Sequence, residues 1–303
     1  MNASALLDLR PLSLAELFDR AFRLYRRYFG VFLGIVLVTQ LPLYLLQIFL
    51  AAVSGISVYL GGAVFTDRME GTAAAATIVG GILGVILTQV GAAALTKAIS
   101  DTYLGRTISL REAFNRIGGT WFTLIFASIV AGLVIMGLAV PLFFVSLIPC
   151  IGRLVAIGGF VYLAAVGSVL ISLVPPVVVL EKRGVVDSVK RAWALGKRRL
   201  WLVFGYLLLL GLLSLLVIDG PSALLVFLFE TVLGEANTLL QTVVQQTANL
   251  MLTAVFQPIR LAAITLMYFD LRIRFEGFDL MVLASANQTV LDDASDLTTR
   301  TAL

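Results

Sequence analysis

The chain has 303 residues, 60% of them apolar and 13% charged, with mean hydropathy +1.01, which excludes an ordinary soluble globular domain and fits a polytopic membrane protein. It contains no histidine, which excludes an imidazole base, a histidine-bound metal and a histidine-ligated haem. The net charge of +4 and pI near 9.4 would suit nucleic acid, but cationic residues also collect on the cytoplasmic side of membrane proteins, and here they follow the apolar segments.

Residues 1–12 form a polar lead closed by Arg10-Pro11. Ser13-Leu14-Ala15-Glu16 then reads as a capping box, in which a serine and a glutamate satisfy free N–H groups at a helix start. Leu14, Leu17, Phe18, Ala21, Tyr25 and Tyr28 fall on one face of the predicted helix, with Arg20, Arg23, Arg26 and Arg27 largely off it. Such a helix either lies in the headgroup layer or packs on the ends of membrane spans. Residues 28–66 carry no charge, more than the ~20 needed to cross a bilayer. A late, long apolar region of this kind is not a cleavable signal peptide.

Asp67, Arg68 and Glu70 mark a loop. The second span, about Thr72 to Thr96, is rich in alanine and glycine, and Gly80 and Gly84 have the spacing that lets helix backbones approach closely in lipid. This places it centrally in the bundle. A basic loop follows, with a second surface helix whose apolar positions are Leu110, Ala113, Phe114, Ile117 and Trp121. The third and fourth spans, roughly Thr120 to Leu147 and Leu154 to Val174, are joined by a turn short enough to force an antiparallel hairpin. The single cysteine, Cys150, reads as a small packing residue. Val174-Pro175-Pro176 is expected to interrupt the fourth span.

Glu181 to Arg199 is the most cationic stretch, with Trp193 inside it and Trp201 just after it as interfacial anchors. The fifth span, Trp201 to Ile218, is expected to stop at Asp219-Gly220-Pro221, leaving Ser222 to Glu235 as a short interfacial helix. The last span follows Ala236, bends near Gln257-Pro258 and ends at Tyr268-Phe269-Asp270, with Gly277 as helix stop.

One octapeptide recurs. Ser13-Leu14-Ala15-Glu16-Leu17-Phe18-Asp19-Arg20 returns as Ser109-Leu110-Arg111-Glu112-Ala113-Phe114-Asn115-Arg116 and, more loosely, as Gly184 to Arg191. Each copy sets an acid four residues before an arginine, which makes Glu16/Arg20, Glu112/Arg116 and Asp187/Arg191 candidate structural ion pairs. A long apolar region follows each copy. The expected fold is therefore an all-α membrane bundle of six transmembrane helices, built as three repeats of surface helix plus hairpin over about 13–100, 109–181 and 184–280. A single membrane domain, 1–283, precedes a polar, mobile tail, 284–303. With the N-terminus inside, all of the 22 basic residues except Arg68, Arg153 and Arg260 fall on the cytoplasmic side, so both termini are expected there.

Along the last span Thr242, Gln246, Asn249, Thr253, Gln257 and Arg260 recur at helical spacing, a candidate polar stripe ending in a cation at membrane depth. Asp219, Glu230 or groups on the small-residue second span are its possible partners. The stripe reads either as cross-helix pairing or as the lining of a transport path. No P-loop, nucleophile elbow, zinc-protease or dinucleotide motif is present, so no catalytic, cofactor or metal residue is expected.

Three stretches, Arg10 to Ser13 with Asp19 to Tyr25, Val174 to Glu181 with Ser188 to Trp193, and Tyr268 to Leu280, resemble the prokaryotic family named for the membrane domain of glycerophosphoryl diester phosphodiesterase. The resemblance implies a stand-alone polytopic membrane protein. It carries over no catalytic residue, because the phosphodiesterase activity belongs to a separate histidine-containing barrel. Asp270, Arg272, Arg274 and Glu276 read as a cytoplasmic clasp that bridges to the surface helices. The expected role is non-enzymatic: structural, membrane-organising or that of an accessory subunit in a prokaryotic cytoplasmic (inner) membrane. Its partners are membrane lipids with anionic headgroups, other membrane proteins or itself, and no nucleic acid. The alternative is a transporter or flippase-like protein for a small or lipid-like substrate.

Overall fold

Each recurring stretch begins a helix at its capping residue. Ser13 Oγ accepts from the Glu16 N–H at 3.3 Å while Glu16 Oε2 accepts from the Ser13 N–H at 2.8 Å. Ser109 and Glu112 repeat the arrangement at 3.3 and 3.0 Å, and Gly184 caps the third helix with extended backbone. This computed structural model describes residues 13–54, 71–106, 108–233, 238–277 and 280, and no strand occurs among them. The expected loop at Asp67, Arg68 and Glu70, the Glu235 boundary and the 284–303 tail lie outside the described residues.

The helices are α1 (Leu14–Arg27), α2 (Phe29–Ser54), α3 (Gly71–Tyr103), α4 (Leu110–Asn115), α5 (Thr120–Ser146), α6 (Ile151–Glu181), α7 (Val185–Gly196), α8 (Leu200–Ser214), α9 (Gly220–Leu233) and α10 (Thr238–Glu276). Among the described residues, six helical runs are long and apolar enough to cross a membrane: α2, α3, α5, α6, the run from α7 through α8 into α9, and α10. The protein is a multi-pass membrane protein of all-α class. Each short helix, α1, α4 or α7, precedes two long segments, and the alternation of direction brings all three to one end of the bundle. There α1 packs on the long helices rather than lying free in a headgroup layer, because Leu17, Ala21 and Tyr25 are buried in the core.

The inner helices are α6 and α10, with 67% and 61% of their apolar windows buried against 17% for α5. The small-residue helix α3 is central only in its second half. Ala92 to Ala94, Leu95 and Ala98 are buried, whereas Ile78, Val79, Ile82 and Leu83 face outward. Close approach is real at Gly91, where a Cβ would lie 2.7 Å from Thr39 Oγ1 of α2.

Four expectations are corrected. Pro175 and Pro176 lie inside an uninterrupted α6; missing N–H donors free a carbonyl one turn back without ending a helix held by its neighbours. Asp219-Gly220-Pro221 does not stop the fifth span either, because a π-turn over Leu215–Asp219 leads directly into α9, with the Gly220 N–H bonded to the Leu215 carbonyl. The wider turn accommodates the proline ring. The second surface helix ends at Asn115 and the chain turns at Gly118 (φ +53°), so Trp121 belongs to α5. Cys150 is exposed at φ +60° in the α5–α6 turn, not packed.

Candidate functional site

The end of the bundle that carries the short helices holds two charged clusters. In the first, α6 delivers Glu181 as its last residue, α10 delivers Tyr268, Arg272 and Glu276 on successive turns, and α7 delivers Arg191. Tyr268 Oη donates to Glu181 Oε1 at 2.8 Å. Arg191 Nε donates to both Glu181 oxygens at 3.1 and 3.0 Å, and its Nη groups reach Glu276 at 2.6 Å. Arg272 closes the ring, donating from Nε to Glu276 at 3.2 Å and from Nη1 to Tyr268 Oη at 3.3 Å. Arg274 Nε bonds Asp270 Oδ2 at 2.7 Å one turn away, and Arg198 lies 5.1 Å over the Phe275 ring. Of the four residues expected in the clasp, Arg272 and Glu276 belong to this ring, which joins α6, α7 and α10, whereas Asp270 and Arg274 are bonded to each other along α10; Gly277 ends α10 at φ +60°.

The second cluster surrounds Asp101, near the end of α3. Its carboxylate is 1% exposed and is met by Lys97 Nζ at 3.1 Å, Arg116 Nη1 at 2.9 Å and Arg106 Nη1 at 3.7 Å. Two of the three candidate arginines in the recurring stretch therefore leave their own helix for an acid elsewhere. Arg116 of the segment after α4 goes to Asp101. Arg191 goes to Glu181 and Glu276 instead of the expected Asp187, which is exposed. Arg20 reaches the Tyr103 hydroxyl at 3.5 Å, and Tyr103 stacks on Phe269 of α10 with ring centroids 5.3 Å apart. Glu16 and Glu112 both serve their capping boxes. The Ser109 backbone N–H, the largest cause, holds the Glu112 carboxyl below the usual carboxylate range.

The polar stripe does not keep one environment. Thr242 and Gln246 are buried, Asn249, Thr253 and Gln257 are half-buried, and Arg260 is exposed on the flank of α10. Asn249 accepts from Ser222 Oγ of α9 at 2.6 Å. Beside the stripe, the Tyr44 hydroxyl of α2 lies 2.9 Å from Thr247 Oγ1. Arg260 stands 16 residues before Glu276, about 24 Å along the helix at 1.5 Å per residue. It is electrostatically coupled to Asp219 at the π-turn.

Sequence reasoning missed Asp101 and Glu181 as hubs. Each is a lone acid at the end of a long apolar helix, a few residues before a copy of the recurring stretch, and that placement was the available signal. No group of acidic, cysteine or histidine side chains among the described residues could hold a metal ion. A comparison with protein-family models gives no match, and searches of the curated proteins and of the solved structures give none either.

Proposed function

We propose that this multi-pass membrane protein has a non-enzymatic role, organising the membrane or serving as an accessory subunit to other membrane proteins, in a prokaryotic cytoplasmic membrane with both termini cytoplasmic. The observation that carries this reading is the ring Tyr268–Glu181–Arg191–Glu276–Arg272. It commits the titratable groups of three helices to one another, as a fastening does, instead of presenting an acid and a base to a substrate. The Ser222–Asn249 bond supports it, since it spends a polar group of the stripe on pairing between helices. The topology rests on the asymmetry of the basic residues, and the three-unit repeat on the recurring stretch. We keep the likeness to the phosphodiesterase membrane-domain family as part of the proposal. Its most specific stretch, Tyr268 to Leu280, includes three members of the ring.

One observation favours a transporter or flippase-like activity as second reading. Arg260 is exposed within a span, below half-buried Gln257 and Thr253. Reconstitution into proteoliposomes separates the two. The structural reading expects fluorescent-phospholipid scrambling and small-solute leakage at the rate of protein-free vesicles. Flux above that rate, abolished by Arg260→Gln, would overturn it in favour of transport.

A further inference from the structure

The two charged clusters differ in how many of their cations are exposed. In the ring, Arg183, Arg191 and Arg272 face Glu181 and Glu276, and of the three only the Arg183 side chain is largely exposed, at 48%. At the end of α3, Lys97, Arg106 and Arg116 share the carboxylate of Asp101, with the Glu112 carboxylate close to Arg116, three cations against two acids. The Asp101 carboxylate is buried, whereas the Arg106 and Arg116 side chains are 54% and 39% exposed. Asp101 therefore gathers the cations without neutralising them. Both arginines reach it through Nη1, and a guanidinium carries five N–H donors in a planar fork suited to two oxygens of one phosphate.

The backbone fixes these cations in place. The chain leaves α3 through a Schellman turn: the Arg106 N–H bonds the Asp101 carbonyl at 2.9 Å, the Gly105 N–H bonds the Thr102 carbonyl at 3.1 Å, and Gly105 has φ +77°. The Arg116 N–H bonds the Glu112 carbonyl at 3.0 Å, at the close of α4. From there α5 departs with Trp121 stacked on Phe122, and Phe122 and Phe126 are exposed. The basic cluster thus opens beside an apolar, bilayer-facing surface, at the level where tryptophan concentrates.

We propose that Lys97, Arg106 and Arg116, gathered on buried Asp101, bind the phosphate of an anionic phosphate ester, carried either by a membrane phospholipid headgroup or by a soluble phosphate ester. The inference rests on reading the short-helix end as the inner headgroup level.

The test is native mass spectrometry of the delipidated protein in detergent, titrated with dioctanoyl phosphatidylglycerol and, as zwitterionic control, dioctanoyl phosphatidylcholine. The wild type is expected to retain phosphatidylglycerol preferentially. Arg106→Gln, at the longest and most exposed contact, should weaken that retention about tenfold, the effect of one charge-assisted contact. Arg153→Gln at the opposite end should not change it. Lys97→Gln gives a second reading of the same site, and melting temperatures matching the wild type establish that the variants fold. Displacement of the lipid by excess glycerol 1-phosphate assigns the site to soluble esters, and failure to displace it assigns the site to lipid. Equal retention of both lipids, or of phosphatidylglycerol by wild type and both site variants, overturns the proposal. Neither result alters the flux measurement that tests the structural reading.

Discussion

A carboxylate at the end of a long apolar helix is costly to bury unless charged donors meet it, and the loss of its charge then leaves those donors facing a poorer acceptor. Glu181 is in this position. Tyr268 and Arg191 donate to it, and Arg183 lies 2.7 Å away from the more exposed side. Glu181→Gln is therefore expected to cost about 1–3 kcal/mol and to lower the melting temperature in detergent by several degrees. Arg183→Gln, with a 48% exposed side chain, should cost no more than about 0.5 kcal/mol. Comparable melting of the two variants would remove Glu181 from the centre of the clasp. The capping boxes and the α10 members of the clasp were legible in the chain because both depend on spacings within one helix. The partners of Arg116 and Arg191 were not, since they sit on other helices, and the i,i+4 acid is the weaker competitor once a buried carboxylate lies within reach. Asp101 passed unnoticed for the same reason: its importance comes from three cations that only the fold assembles.

At the scale of the helix, packing and not propensity sets what each position tolerates. Gly196 of α7 lies so close to α6 that a Cβ there would overlap Val169 Cγ1, and a β-branched side chain in a helix has one strongly preferred rotamer and cannot swing aside. Gly196→Ala should push α7 off α6 and cost about 1–3 kcal/mol. Gly211 in α8 meets nothing within 4 Å, so Gly211→Ala should leave the melting temperature unchanged or raise it. Thermal unfolding of the pair checks the α6–α7 contact. A Gly196→Ala protein as stable as the wild type would mean that the helices stand further apart. The existence and type of every long helix could be read from hydropathy, but the breaks could not. Proline and Asp-Gly-Pro end helices in water, where freed carbonyls are readily hydrated. In a span, a π-turn or a neighbouring helix absorbs the same defect, as at Pro175-Pro176 and Leu215–Asp219.

For the whole molecule, the apolar runs were sufficient to count six spans, because 18 or more uncharged residues have few other stable solutions. They were insufficient to order the spans from inside to outside. The small-residue helix α3 suggested the centre, yet α6 and α10 occupy it, since bulky chains fill a bundle core as well as small ones do. The proposed topology requires the three short helices, both charged clusters and most of the basic residues to share one face of the bilayer, with the α5–α6 turn on the other. The chain supplies its own reporter for this. Cys150 is the sole cysteine and is exposed in that turn. From Trp121, α5 rises through 25 residues to Ser146, about 37 Å, which exceeds the ~30 Å hydrocarbon core.

The most direct test is labelling of Cys150 with a membrane-impermeant maleimide in spheroplasts and in inverted inner-membrane vesicles, without any mutation. Modification in spheroplasts and protection in sealed inverted vesicles is the predicted result. Modification in inverted vesicles alone would place the charged clusters on the outer face and contradict the account.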